Sequence, residues 1–327
     1  MRAQLITMLD PLSDILTRLT LNGTLYFRTS FTPPWGVAVP EYENVARFHF
    51  AHRGDCRVRI KPTDTLVTLA QGDLIIIPHG AAHDLISGRE TQSAVLPLDT
   101  VLERSGYSGR GVLVHGGNDD DRETQLICGH FSLAPRASHM LFDQLPDHIL
   151  IRNYGESAGR WMDSSLRLIA DEAGQDQFGG DLIAQKISEV LFVQALRTFI
   201  ETDAAAHVGL AGFADPHISR ALAAFHRDPG ETWTVEGLAR AAGQSRTGFA
   251  VHFSKTMGLA PMEYLTQWRM QIAQQDLIAR TKPITDIARD VGYASNSAFA
   301  RVFKRETGQS PAAFRNEHTP GHGKRLN

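Results

Sequence analysis

The chain repeats itself near its end, and that repeat limits what its last hundred residues can fold into. Ser245, Phe249, Ala250, Phe253, Gly258 and Pro261 recur at an offset of fifty as Ser295, Phe299, Ala300, Phe303, Gly308 and Pro311. Identity at a fixed period is the mark of a duplicated supersecondary unit. Each copy opens on a short apolar-periodic segment: Val235, Leu238 and Ala239 lead to Gly243, and Ile284, Ile287 and Ala288 lead to Gly292. The small Ala lets two helices approach closely, and Gly accepts the positive φ that reverses the chain. Ser245 and Ser295 then stand where a hydroxyl can cap the next helix. Phe249 and Phe253, like Phe299 and Phe303, are four residues apart, so each pair points to one side, into its unit's own core. The opposite face of each second helix is left free, as in a helix-turn-helix whose second helix enters the DNA major groove. A helical bundle with a duplicated hairpin is the alternative, but it would not need caps, small residues and turn glycines to be duplicated together.

Between the copies, Pro261 to about Ala279 is free of breakers until Pro283, with Pro at the first helical turn. A helix of that length spans ~28 Å at ~1.5 Å per residue. With the width of the bundles, it can set two recognition helices near one DNA turn apart, ~34 Å, so that one chain reads two successive major grooves.

The first half reads differently. From about 20 to 152, short segments such as Leu25–Thr29, Ala46–Ala51, Arg57–Lys61, Thr65–Leu69, Leu74–Ile77 and Gly111–His115 are separated by Gly, Pro, Asp and Asn turn signals, which predicts a β-rich domain. Asp10-Pro11 opens a short helix, Leu12 to Leu19. From 156 the period becomes helical: Trp161, Leu166, Ile169 and Ala170 mark one helix, and Asp181 to Glu201 a second. The second has an apolar stripe wider than a small β domain needs, which leaves two readings: both helices cap the β domain, or a partner copy covers part of the stripe. Ala204 to Gly212, rich in Ala and Gly, reads as a linker. The expected organisation is therefore α+β and multidomain: 1–155 β-rich, 156–203 a helical dimerisation segment, 204–214 a linker, 215–317 the all-α double unit, and 318–327 a disordered tail.

Composition narrows the function. Residues 1–214 carry 18 Lys/Arg against 26 Asp/Glu, while 215–318 carry 13 against 10, so the helical half is the more basic one, as phosphate contact requires. No stretch nears ~18 consecutive apolar residues, and the N-terminus lacks the apolar core of a secretory signal. Cys56 and Cys128 are too few for a disulfide framework in a chain of 327 residues, so a reduced, cytoplasmic setting without membrane attachment is expected.

The segments "TVEGLARAAGQSRTGFAVHFSKTMGLAP", "YLTQWRMQIAQQDL" and "ITDIARDVGYASNSAFARVFKRETGQSPAAFR" resemble the DNA-binding domain of the AraC/XylS family. The Gly-Tyr-x-Ser start, Phe-x-Arg-x-Phe-Lys core and Gly-x-Ser-Pro end of the second copy are the most diagnostic. By position, the resemblance implies that Asn296, Ser297 and Arg301 read base edges in the second unit. There Arg suits guanine and Asn suits adenine. In the first unit the corresponding residues are Thr247, Ala250 and Val251, small or apolar, which suit thymine methyls and DNA shape. Arg246 and His252 flank them as phosphate or base contacts. Lys255, Lys304 and Arg305 are phosphate contacts or solvated charges.

"GDLIIIPHGAAH" (72–83) resembles the second motif of cupin β-barrels, in which the His at position 83 is a metal ligand. The first cupin motif presents His-x-His and then Glu. Here His49 is present, Ala51 replaces the second His, no Glu follows, and His52 falls on the opposite strand face. A divalent transition metal would have His49 and His83 and need others, with Cys56, His79, Cys128 or His130 as candidates. The alternative is that the two His hydrogen-bond within the barrel or line a ligand pocket. "DPLSDILTRL", "WGVAVP", "LICGHFSL" and "KISEVLFVQALRTFI" extend the resemblance to the cupin-type sensor of one AraC-family branch. That implies a small-molecule effector in the barrel, with Trp35, Arg47, His49 and His83 as pocket residues. It also implies a homodimer formed through the helices that follow, and duplex DNA at a promoter or operator as the main partner. RNA polymerase is a further candidate partner. An Arg beside an aromatic suits an anionic or aromatic ligand. Activation is the expected mode, although the residues themselves leave repression open. Two rivals remain: a metal-dependent cupin enzyme carrying a DNA-binding appendage, and a DNA-binding regulator without an effector. The enzyme needs a complete ligand set, and the chain has no phosphate-binding Gly loop, His-Glu-x-x-His or nucleophile elbow.

Overall fold

A computed structural model describes residues 10–18, 22–88, 94–109, 111–117, 122–132, 140–154 and 178–318. The expected helix around Trp161–Ala170 and the tail after 318 lie outside them. The chain divides into two compact units. One holds residues 20–136 and 145–202; the other holds 1–19, 137–144 and 203–327.

The β-rich unit is built from two sheets that share one core. The six-stranded sheet runs in the order β11-β6-β3-β10-β1-β9, with β1 (Asn22–Thr32), β3 (Val45–Arg53), β6 (Leu74–Ile77), β9 (Val112–Gly116), β10 (Gln125–Ser132) and β11 (Ile149–Ile151). The five-stranded sheet runs β5-β4-β7-β2-β8, with β2 (Gly36–Val39), β4 (Cys56–Ile60), β5 (Thr65–Leu69), β7 (His83–Ser87) and β8 (Leu96–Pro97). The ladders of the described residues form two sheets and do not close into a single barrel. Period-two alternation decides what faces inward: Cys56, Val58 and Ile60 of β4 are buried, whereas Arg57 and Arg59 between them are not. On β6 all four residues are buried, because both faces are covered. Ile75 and Ile77 enter the inter-sheet core with Trp35, Val37, Leu85 and Leu126. Leu74 and Ile76 face outward toward Phe48, Phe131, Tyr154, Leu191 and Phe192.

The last two of those residues belong to the long helix Gly180–Thr202. It takes the label α4 after α1 (Pro11–Arg18), α2 (Leu98–Ser105) and α3 (Met140–Asp143). Phe192 packs on Phe131 with ring centroids 4.4 Å apart, and Tyr154 Oη donates to the Leu191 carbonyl at 2.6 Å.

The helical unit contains the duplicated motif as α7 (Val235–Ala242) with α8 (Arg246–Met257), and α10 (Ile284–Asp290) with α11 (Asn296–Thr307). Before them come α5 (Ala211–Ala214) and α6 (Pro216–Arg227); α9 (Pro261–Ala279) joins the two copies and α12 (Pro311–Glu317) closes the second. The expected caps form, with the hydroxyls of Ser245 and Ser295 accepting from the backbone N–H of Gly248 and Ala298 at 3.2 Å, and the structure adds a third, Thr234 accepting from Gly237 at 3.0 Å. Gly243 and Gly292 adopt φ of +69° and +83° at the two turns. The copies differ at one cap, since α10 follows Pro283 with no side-chain bond. Residues 204–212, expected as a linker, instead hold a 3-10 turn at Ala204–Ala206 and the start of α5, with Ala204 and Leu210 fully buried.

The placement of α1 also departs from the sequence reading, which left it with the β-rich half; it clusters with the helical unit. Ile15 and Leu16 are buried, and Asp14 Oδ2 accepts from His226 Nδ1 at 2.9 Å. His226 Nε2 in turn lies 2.8 Å from Tyr264 Oη. Burial pushes the Asp14 carboxyl up, but the bonds from His226 and Arg18 outweigh it and hold its pKa low, while burial pushes His226 down despite that carboxylate. The ionised, neutral combination fixes the pattern: His226 Nδ1–H donates to Asp14, and Nε2 accepts from the Tyr264 hydroxyl. Asp14→Ala leaves His226 with a buried unpaired donor and is expected to destabilise the helical unit by ~1–3 kcal/mol. Asp14→Asn retains an acceptor and should cost less. Chemical denaturation of the full chain followed by helical ellipticity checks the order of the three proteins.

Candidate functional site

On α8 and α11 the paired phenylalanines face inward: Phe249, Phe299 and Phe303 are fully buried and Phe253 nearly so. The pair within each helix packs at 5.5–5.6 Å between centroids. Tyr264 continues the first cluster and Phe314 the second. This packing turns the opposite faces to solvent. Ser297 and Arg301 are exposed on the face of α11 opposite the rings, and Asn296 is exposed at the helix's first position. On α8 the matching face presents exposed Arg246 and Thr247, half-buried Ala250, and Val251 at 65% exposure. Val251 is thus an apolar side chain left open on a helix whose aromatic face is already satisfied. The two helices expose different chemistry: amide, hydroxyl and guanidinium groups of Asn296, Ser297 and Arg301 on α11, and Arg246 beside the methyl-bearing Thr247, Ala250 and Val251 on α8.

His252 is held by partners within the helical unit. Its Nε2 donates to Asp215 Oδ2 at 3.1 Å and its Nδ1 accepts from Gln244 Nε2 at 2.9 Å. Asp215 is also the cap of α6, accepting from the backbone of His217 and Ile218, so His252 fastens the recognition helix to the start of α6. Arg305 pairs with its neighbour Glu306 at 2.7 Å and, like Lys255 and Lys304, is exposed.

In the β-rich unit the four sequence-selected pocket residues are all buried: Trp35 at 1%, Arg47 and His49 at 3%, His83 at 0% exposure. Arg47 and His49 share the inward face of β3, and Cys128 and His130 are their cross-strand partners on β10. His49 meets His83 from the opposite sheet, Nε2 to Nε2 at 2.8 Å, and its Nδ1 lies 3.1 Å from Cys128 Sγ. His83 Nδ1 lies 2.8 Å from the Ala81 carbonyl, which can only accept. The proton order then follows: His83 Nδ1–H donates to Ala81, His49 Nε2–H donates to His83, and the Cys128 thiol donates to His49. Burial depresses both imidazoles, His83 to about 4 and His49 well below its ordinary value, with the neighbouring His83 and Arg47 charges adding to the fall at His49. Burial pushes the Cys128 thiol up, and Cys56 to about 12. All members of the chain are therefore neutral at pH 7.

The donors do not fit a cupin metal. Cys128 contacts the ring nitrogen of His49 that points away from His83, and His79 is turned to the Leu145 carbonyl. Among the described residues no group of three or more His, Cys, Asp or Glu is arranged to hold an ion. A ligand-sized opening lies elsewhere: a cleft of about 800 Å³ lined by Pro33, Arg53, Asp55, Ser87, Arg122 and Glu123 among others. None of the four sequence-selected residues lines it. Its members were invisible to motif reading because five separate stretches of the chain supply them. Two features bear on a ligand nearby: the buried Trp35 Nε1 has no hydrogen-bond partner among the described residues, and Arg47 lies over the Tyr42 ring at 4.3 Å.

A family profile described as cupin matches residues 10–201, and one described as a helix-turn-helix domain matches 238–317. A Streptomyces antibioticus protein named as an AraC-like transcription regulator is 33% identical over 315 residues, covering 95% of this chain and 100% of that one. The HTH-type transcriptional regulator AlkR of Acinetobacter baylyi is 28% identical, over 94% and 100% of the two chains. The RCS-specific HTH-type transcriptional activator RclR of Escherichia coli is 26% identical, over 94% and 97%.

The neutral histidine pair has a measurable consequence. An unfolded chain protonates His near its ordinary pKa of ~6.5, while the folded unit resists until about pH 4 at His83. The unfolded state thus binds more protons, and stability is lost as pH falls through that window and is fully present above it. For His83 the difference amounts to ~3 kcal/mol. The β-rich unit should melt lower at pH 5 than at pH 7.5, and His83→Gln should flatten the dependence; equal melting temperatures at the two pH values would contradict the neutral assignment.

Proposed function

Because this chain belongs to the AraC-like family of transcription regulators, we propose that it reads duplex DNA with two unequal recognition helices. The relatives that match it along nearly its whole length are named as transcription regulators, which removes the metal-dependent enzyme. No helix among the described residues is long and apolar enough to cross a membrane. The observation that carries the unequal reading is the contrast between exposed Asn296, Ser297 and Arg301 on α11 and exposed Thr247 and Val251 on α8. Arg301 suits bidentate pairing with guanine and Asn296 with adenine, while Thr247, Ala250 and Val251 suit thymine methyls. Arg246, at the first position of α8, is the candidate for a phosphate at the groove edge.

The β-rich unit is proposed to bind a small-molecule effector. Support comes from the buried Trp35 indole N–H that awaits an acceptor, the buried Arg47 with His49 and His83 beside it, and the 800 Å³ cleft, which is within the usual size of ligand pockets. An effector acts on DNA binding only by favouring one conformation over another. The proposed assembly is a homodimer through α4: Leu182, Ile183 and Val190 are 58%, 41% and 48% exposed on a helix whose other side packs on β1. RNA polymerase contact and a cytoplasmic location complete the proposal.

Arg301→Ala should weaken binding by ~1–3 kcal/mol and relax preference at one base pair of the second sub-site. Val251→Ala should alter the first sub-site alone. Selection of bound sites from random duplexes checks both, and an unchanged preference in Arg301→Ala would remove that residue from base reading. Val190→Asp is expected to shift the chain from dimer to monomer in sedimentation; a wild-type chain that is already monomeric defeats the dimer.

A further inference from the structure

The two helix-turn-helix copies are joined by α9, but a second connection lies at its middle. Arg269 projects from α9 with Nε donating to the Pro229 carbonyl at 2.7 Å and Nη2 donating to the Glu231 carbonyl at 2.6 Å. Both carbonyls belong to the loop that enters the first copy. The same guanidinium stands 5.9 Å from the ring centre of Tyr293, in the turn of the second copy. Burial lowers the pKa of Arg269, as expected of a guanidinium spent on contacts inside the protein rather than on solvent.

The elements held at this joint are themselves stiff. Trp233 Nε1 donates across the entry loop to the Asp228 carbonyl at 2.8 Å, and Thr234 at the loop's end caps α7. In the second copy the Tyr293 N–H donates to the Ala288 carbonyl, and its ring packs on Phe299 of the recognition helix at 5.7 Å. Between them the two backbones touch with no side chain intervening. A Cβ on Gly292 would fall 2.7 Å from the Gly230 carbonyl oxygen and 2.7 Å from Arg269 Nη2, and a Cβ on Gly230 would fall 2.7 Å from the Asp290 carbonyl oxygen. Real Cβ atoms do not approach so closely, so glycine at both positions is what allows the joint to close. A single helix between two bodies leaves each end free to pivot. A second attachment at its middle removes that freedom.

We propose that Arg269 is a positioning residue that fixes the distance and phase between the two recognition helices, and so the number of base pairs the protein demands between its two sub-sites. This rests on the reading that both α8 and α11 enter DNA grooves. One inserted base pair moves the second sub-site by ~3.4 Å and turns it by about a tenth of a helical turn, and a rigid joint cannot follow.

The experiment uses the full chain. Sites are selected from random duplexes with the wild-type protein, and one base pair is then inserted or removed between the two sub-sites. Wild type should lose roughly a hundredfold in affinity on the altered spacing, the scale of one or two mismatched pairs, and Arg269→Ala less than about tenfold. Base preference inside each sub-site should be unchanged, which general loss of structure would not produce. Arg269→Lys, keeping the charge but only one reach, should fall between. Should Arg269→Ala fail to fold, Gly230→Ala wedges the same contact and is expected to shift the preferred spacing. Two sub-sites with the wild-type spacing penalty in every folded variant would overturn the role of Arg269 alone. Selection that returns a single sub-site would overturn the two-groove reading and this inference with it.

Discussion

The burial of two phenylalanines one turn apart on each recognition helix is the constraint on which the DNA-binding half depends. Phe249 with Phe253, and Phe299 with Phe303, leave almost no freedom of rotation to α8 and α11, because turning either helix would expose two rings at once. Each fully buried ring contributes on the order of 2–3 kcal/mol. What remains outside is then decided by position: Thr247, Val251, Ser297 and Arg301 are exposed opposite the rings, and Asn296 is exposed at the first position of α11. The surface proposed to read bases is therefore a by-product of core packing.

The β-rich unit solves a different problem. Its interior holds polar groups that would be costly if unpaired, and the hydrogen-bond chain from Cys128 through His49 and His83 to the Ala81 carbonyl satisfies the two imidazoles without charge. The cupin motif is retained in sequence, yet its two histidines spend their nitrogens on one another and on Cys128. The residues that open to solvent in a ligand-sized cleft belong to other loops. A motif records where a strand and its turn are; it does not record what the side chains on the facing sheet do to the histidine.

The helical unit is assembled from segments far apart in the chain. Asp14 reaches His226, which reaches Tyr264 on α9, so a helix near the start of the sequence shares the core of the unit at its end. Further along α9, Arg269 ties the entry loop of one copy to the turn of the other. The same helix that separates the two copies also carries the contacts that hold them.

The repeat, its serine caps, its turn glycines and its inward phenylalanines were legible in the sequence, because each depends on residues within a few positions of one another and on the 3.6-residue period. The strands with clean alternation were legible for the same reason, and so was the unequal chemistry of the two recognition helices. Tertiary structure alone decided where α1 packs, that residues 204–212 are folded, that His252 is held by Asp215 and Gln244, that His49 faces His83, and that Arg269 bridges the two copies. Apart from the bond between Gln244 and His252, those contacts join residues tens to hundreds of positions apart, and local periodicity carries no information about which of many buried surfaces will meet. The sequence determined which faces must be covered, and packing chose what covers them.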